Sequence, residues 1–97
     1  MLTVGNLTLN NEAVSAALAG QEVSVTVREF QILYKLLSYP DHAFSRAELM
    51  DEFWDLASDT SMRAVDVYIT KLRDKFKAAN GFTIKTVHGL GYKAVLK

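Results

Sequence analysis

The chain opens on short alternations of apolar and polar residues. Leu2 and Val4 alternate, and Leu7 and Leu9 follow a Gly5-Asn6 break. Val14, Ala16 and Leu18 alternate next, and Val23 and Val25 come after an Ala19-Gly20-Gln21 turn. Period-two patterning broken by Gly and Asn predicts four short antiparallel strands, each with one buried face. The period then becomes helical. Phe30, Leu33, Tyr34 and Leu37 share one helical face, Thr26-Val27-Arg28-Glu29 forms a capping box ahead of it, and Pro40 stops it. Ser45-Arg46-Ala47-Glu48 is a second capping box, leading a shorter helix whose apolar stripe is Leu49, Met50, Phe53 and Trp54. Residues 55–60 read as a polar loop. The cleanest amphipathic pattern is Met62, Val65, Ile69, Leu72, Phe76 and Ala79, which predicts a third helix near residues 61–79. Asn80-Gly81 is expected to end it, as a left-handed residue often does. Phe82 to Val87 and Tyr92 to Leu96 then flank His88-Gly89-Leu90-Gly91 as a hairpin with a glycine-rich tip. Four strands, three helices and a hairpin make an α+β class.

Composition narrows the function. With 97 residues the chain is expected to form one small domain, residues 1–97. It has no cysteine, so a disulfide framework and a thiolate metal site are excluded, and a reducing cytoplasm is the expected location. No signal peptide is read at the N-terminus, and no apolar run approaches the roughly 20 residues that span a bilayer, so no membrane partner is expected. Net charge is zero, but it is divided unevenly. Residues 1–60 hold three basic and nine acidic side chains, a net of −6, and residues 61–97 hold eight basic and two acidic ones, a net of +6. Such asymmetry points to a basic binding end.

The third helix carries the candidate chemistry. At 100° per residue its buried stripe centres between Val65 and Ile69, and the opposite face carries Arg63, Val67, Thr70, Lys71 and Asp74. A purely solvated face would be polar throughout. A Val beside a Thr and a Lys suits the floor of a DNA major groove instead. Lys donates to guanine O6 and N7, Thr donates or accepts, and a Val methyl meets a thymine methyl. Arg73, Lys75 and Lys77 lie on the flanks, where phosphates run. A short helix followed by a basic helix and a basic hairpin is the order in which helix-turn-helix proteins dock the second helix of the pair in the groove.

The segments VTVREFQILYKLL (25–37), SRAELMDEFW, RAVDVYITKLRDKF and IKTVHGLGY resemble the DNA-binding effector domain of the OmpR/PhoB family of bacterial response regulators. The resemblance implies a winged helix-turn-helix: an N-terminal four-stranded antiparallel sheet, a three-helix bundle and a C-terminal β-hairpin wing. It implies promoter DNA as partner, a second copy on a tandem half-site, and control by a receiver domain that lies outside these 97 residues. Residue by residue, it places Thr70, Lys71 and Val67 at base edges and His88 at the wing tip in the minor groove. It places Trp54, Arg63, Tyr68, Arg73 and Thr86 at phosphates, to which the basic residues Lys75 and Lys93 are added. The loop Asp55, Leu56, Ala57, Ser58, Asp59 and Thr60 corresponds to the segment that touches RNA polymerase in some members. Two positions depart from the family. His88 stands where arginine is usual, weakening the attraction to a narrow minor groove. Asp55 stands where glycine commonly follows the tryptophan.

Other signals carry less. Gly89 to Ala94 fits GxGxxA, but no helix follows within a βαβ unit, so the glycines are read as a tight turn. His42 and His88 are far apart in sequence, so no metal site or cofactor is expected, and His42 is read as an exposed turn residue. Neither a nucleophile elbow nor a P-loop is present, so no enzyme activity is expected. The alternative reading is a winged helix that binds protein through its acidic half; salt separates the two, since DNA binding weakens steeply with salt.

Overall fold

A computed structural model describes residues 1–55 and 60–97. Strands β1 (Leu2–Val4), β2 (Leu7–Asn10), β3 (Ser15–Leu18) and β4 (Gln21–Val23) form one antiparallel sheet in that order. Leu9 pairs with Leu2 and with Ala16, so the sheet presents Leu7, Leu9 and Ala16 as its buried side. Two positions fall outside the alternation read from sequence. Val14 has φ +52° and is exposed, because the Asn10 side chain accepts from the Glu12 and Ala13 amides and turns the chain before β3. Val25 lies past the end of β4.

Helix α1 (Val27–Ser38) follows, and its Thr26–Glu29 capping box forms as expected. Helix α2 (Arg46–Phe53) begins with the Ser45–Glu48 box. Helix α3 (Arg63–Lys75) is shorter than its apolar pattern. Met62 precedes it without a side-chain cap and is 52% exposed, so it is not part of the buried stripe. Phe76 and Ala79 are buried beyond its last turn. Asn80 and Gly81 do not end it in a left-handed conformation. They serve a different purpose: Asn6 and Asn80 exchange reciprocal side-chain to backbone hydrogen bonds of 2.9 Å, which tie the β1–β2 turn to the corner after α3. A Cβ on Gly81 would meet Gly5 backbone at 2.7 Å, so glycine is required for that contact.

Strands β6 (Phe82–Val87) and β7 (Gly91–Leu96) form the predicted hairpin. Its sheet has a third member that the periodicity did not disclose. The two-residue strand β5 (Phe44–Ser45) pairs with β7, Phe44 opposite Tyr92 and Ser45 opposite Gly91. Gly91 exists for this contact, since a Cβ there would lie 2.1 Å from the Phe44 carbonyl oxygen. The core joins Leu7, Leu9, Phe30, Leu33, Leu37, Leu49, Val65, Ile69, Leu72 and Ala94 across both sheets and all three helices. Gly91→Ala is therefore expected to cost about 1–3 kcal/mol by overpacking against backbone that cannot rotate away. A denaturant melt checks this; an unchanged midpoint would show that β5 separates from β7 at little cost.

Candidate nucleic-acid interface

Helix α3 buries Val65, Ile69 and Leu72 completely. The opposite face follows from that burial: Arg63, Val67, Thr70, Lys71 and Asp74 are all exposed. Val67 is 52% exposed, an apolar side chain on an otherwise polar face. The Thr70 hydroxyl donates to the Asp66 carbonyl one turn earlier at 3.0 Å. Its proton is thereby committed, leaving the oxygen lone pairs and the methyl group for an outside partner.

Polar contacts hold this helix against its neighbours. The Asp66 carboxylate accepts from Arg46 Nε at 2.7 Å and from the Tyr92 hydroxyl, joining α3 to α2 and β7. The Tyr92 hydrogen bond and Arg46 hold the Asp66 carboxyl below its ordinary pKa, and burial together with Asp66 pushes the Tyr92 hydroxyl up. Arg73 donates from Nε and Nη2 to the Ile84 carbonyl at 3.1 and 2.7 Å, and from Nη2 to Thr86 Oγ1 at 3.0 Å. Two residues expected at phosphate are thus linked to each other across α3 and β6. Lys75 differs from expectation. Its ammonium donates to Glu29 at 2.7 Å and to the Ser24 carbonyl at 2.9 Å, so it is bound inward, toward the start of α1. Glu29 is 2% exposed, and a buried carboxylate requires such a partner. Burial raises the Glu29 pKa, but the hydrogen bonds from Lys75 and Thr26 outweigh it and hold the carboxyl below its ordinary value.

Aromatic residues sit beside the exposed face. Trp54, 8% exposed, meets Tyr68 edge-on at 5.4 Å between ring centroids. Lys71 Nζ lies 5.5 Å from the Tyr68 ring, and the Arg28 guanidinium lies 4.4 Å from the Trp54 ring. Arg28 was not singled out in sequence, where it reads as one member of a capping box. At the wing, His88 and Leu90 are exposed in the turn between β6 and β7. Strand alternation puts Thr86 on the side of its buried partner Tyr92, and puts Lys93 on the other side, opposite Lys85. Asp55 and Thr60 are exposed, whereas Leu56, Ala57, Ser58 and Asp59 of the expected polymerase-contact loop lie outside the described residues. His42 is exposed beside Phe44. Among the described residues no group of three His, Cys, Asp or Glu side chains could hold a metal ion, and no helix is long and apolar enough to cross a membrane.

A helical pair, an outward-facing third helix and a three-stranded sheet ending in a hairpin define a winged helix-turn-helix. The family described as "Transcriptional regulatory protein, C terminal" matches residues 20–94, and the chain belongs to it, among the effector domains of OmpR/PhoB-type response regulators. The chain is 36% identical over 93 residues to the heme response regulator HssR of Staphylococcus aureus, a match covering 95% of this chain and 42% of that protein. It therefore spans less than half the length of the curated relatives it matches. Among solved structures, it resembles the DNA-binding domain of CpxR from E. coli at 31% identity and a TM-score of 0.84, covering 97% of this chain and 94% of that one. It also resembles the Klebsiella pneumoniae RstA DNA-binding domain, solved in complex with the RstA box, at 28% identity and a TM-score of 0.82, covering 97% and 95%.

The lowered pKa values of Asp66 and Glu29 fix a sign. A carboxylate whose folded pKa lies below its unfolded one contributes stability above the ordinary carboxylate range, and that stability is lost as pH falls through the folded value. Wild-type melting temperature is expected to fall between about pH 5 and pH 3, and Asp66→Asn and Glu29→Gln are expected to melt lower at neutral pH but lose less over that interval. Parallel acid limbs for wild type and both variants would remove these carboxylates from the account.

Proposed function

We infer that this chain is a sequence-specific double-stranded DNA-binding domain that serves as the output domain of a transcription regulator. The observation that carries the reading is the exposed face of α3, where Val67, Thr70 and Lys71 stand outward from a fully buried stripe. An apolar methyl, an acceptor oxygen and an ammonium within one helical turn match the thymine methyl, the cytosine or adenine amino group and the guanine edge of a major groove. The similar RstA DNA-binding domain, solved in complex with its box, supports DNA as the partner. In this reading α3 lies in the major groove and His88 at the wing tip meets the minor groove. Trp54, Arg63, Tyr68, Arg73 and Thr86 meet phosphates, and Lys93 meets one from the outer face of the wing. Thr86 keeps its hydroxyl proton for phosphate while its oxygen accepts from Arg73. Lys75 takes no part. The kinship with response regulators supports control by a receiver domain, two copies on tandem promoter half-sites, and contact with RNA polymerase through the loop at residues 55–60. Nothing in the arrangement calls for catalysis or a cofactor.

Lys71→Ala is expected to cost about 1–3 kcal/mol on the preferred duplex and much less on scrambled DNA, relaxing preference at one base pair. Titrations of both duplexes at several salt concentrations measure this. Equal losses on the two would remove Lys71 from base readout, and salt-independent affinity would favour a protein partner instead.

His88→Arg is expected to tighten binding chiefly where the flanking sequence has a narrow A·T-rich minor groove, because such grooves concentrate negative potential. Competition between A·T-rich and G·C-rich flanks reads the effect. A variant indifferent to the flank would place the wing outside the groove.

A further inference from the structure

Arg28 is the second residue of α1, where a cation faces the positive end of its own helix dipole. Its surroundings offset that disadvantage. Arg28 Nε donates to the carbonyl of Phe53, the last residue of α2, at 3.2 Å. The guanidinium lies 4.4 Å from the Trp54 ring and 5.9 Å from the Tyr68 ring. Tyr68 in turn lies 5.5 Å from the Lys71 ammonium. A run of cation, indole, phenol and cation therefore extends from α1, past the end of α2, to the outward face of α3.

The Trp54 ring 4.4 Å away and a bond at Nε restrict this guanidinium's rotamers, so little side-chain freedom is left to lose on binding. Among the described residues its hydrogen-bond acceptor is the Phe53 carbonyl, reached through Nε, which leaves the two Nη amino groups for a further acceptor. Paired planar N–H donors match the oxygens of a phosphate.

We propose that Arg28 binds a DNA backbone phosphate, forming with Trp54, Tyr68 and Lys71 one continuous contact that carries the footprint from α3 onto the start of α1. It rests on the DNA-binding reading above and adds a residue from the acidic half of the chain to the interface. The arrangement also gives Trp54 a defined part: its indole is the surface against which the guanidinium is held.

The test begins with the wild-type chain selecting a duplex from a random-sequence pool. Arg28→Gln, Arg28→Lys and wild type are then titrated against that duplex and a scrambled one over a range of salt, after thermal melts. Arg28→Gln is expected to lose roughly tenfold in affinity on both duplexes and to lower the salt slope by about one unit. Arg28→Lys keeps the charge and is expected to keep the slope. Arg28→Met, which retains a long apolar stem over Trp54, replaces Arg28→Gln if that variant melts below the assay temperature. A scan with duplexes made neutral at single phosphates by methylphosphonate gives a second readout. One substitution is expected to weaken wild type and leave Arg28→Gln unaffected, the signature of a direct pair. A purely structural Arg28 would lower the melting temperature with the salt slope and the methylphosphonate profile unchanged, and that result overturns the proposal while leaving DNA binding intact. A wild-type chain that selects no duplex overturns the DNA-binding reading itself and this proposal with it.

Discussion

The position of the outward helix depends on one carboxylate. Asp66 sits in the first turn of α3 and is held by Arg46 from the start of α2 and by the Tyr92 hydroxyl from β7. Three elements that the buried stripe alone could let rotate are joined at that point. Hydrophobic contact is non-directional and resists a small rotation of a helix about its axis poorly; a carboxylate with two donors does not have that freedom. Arg73 performs the complementary service at the other end, donating twice to the Ile84 carbonyl of β6. With both ends held, the azimuth of Val67, Thr70 and Lys71 is defined before any partner arrives, which limits the ordering cost of binding.

Polar contacts of this kind also help α3 present a whole face outward. Helix α3 has no side-chain cap at its N-terminus and only three fully buried residues. Isolated, it would be marginal. Packing of those three residues stabilises it, and Glu29, a capping residue of α1, adds a tie by also accepting from Lys75 at its far end. One buried carboxylate thus closes one helix start and secures the end of another.

Much of this was legible in the chain, and the parts that were not share a cause. Both capping boxes, the two-faced character of α3 and the hairpin follow from spacing within a few residues, and spacing is what periodicity reports. Strand β5 has two residues, too few to show a period, and it exists because Gly91 lets the Phe44 carbonyl approach. By its angle on the helix Lys75 belongs to the flank, where phosphates are expected. The angle was sound, but a lysine stem is long enough to reach a buried Glu29 separated from it by 46 positions. Arg28 was missed for the same reason, since its partners at Phe53 and Trp54 come from another helix. Helix ends also resisted reading: Phe76 and Ala79 keep the apolar rhythm after the helix has stopped, because the chain beyond it still covers the core.

Charge shows how far a count along the chain can mislead. Residues 61–97 carry a net +6, yet that excess is not all available to a polyanion. Lys75 is neutralised by Glu29, and Arg73 directs three hydrogen bonds to β6. Lys85 and Lys93 face each other across the wing, a like-charge pair that strand pairing alone disfavours. A phosphate backbone running past that face would relieve the repulsion, and so the pair is better understood as part of a charged surface than as part of the hairpin's own stability. The basic residues thus divide by what they touch rather than by where they fall in sequence. Some complete the fold, some stand outward, and Arg28 brings to the outward group a cation from the half whose net charge is −6.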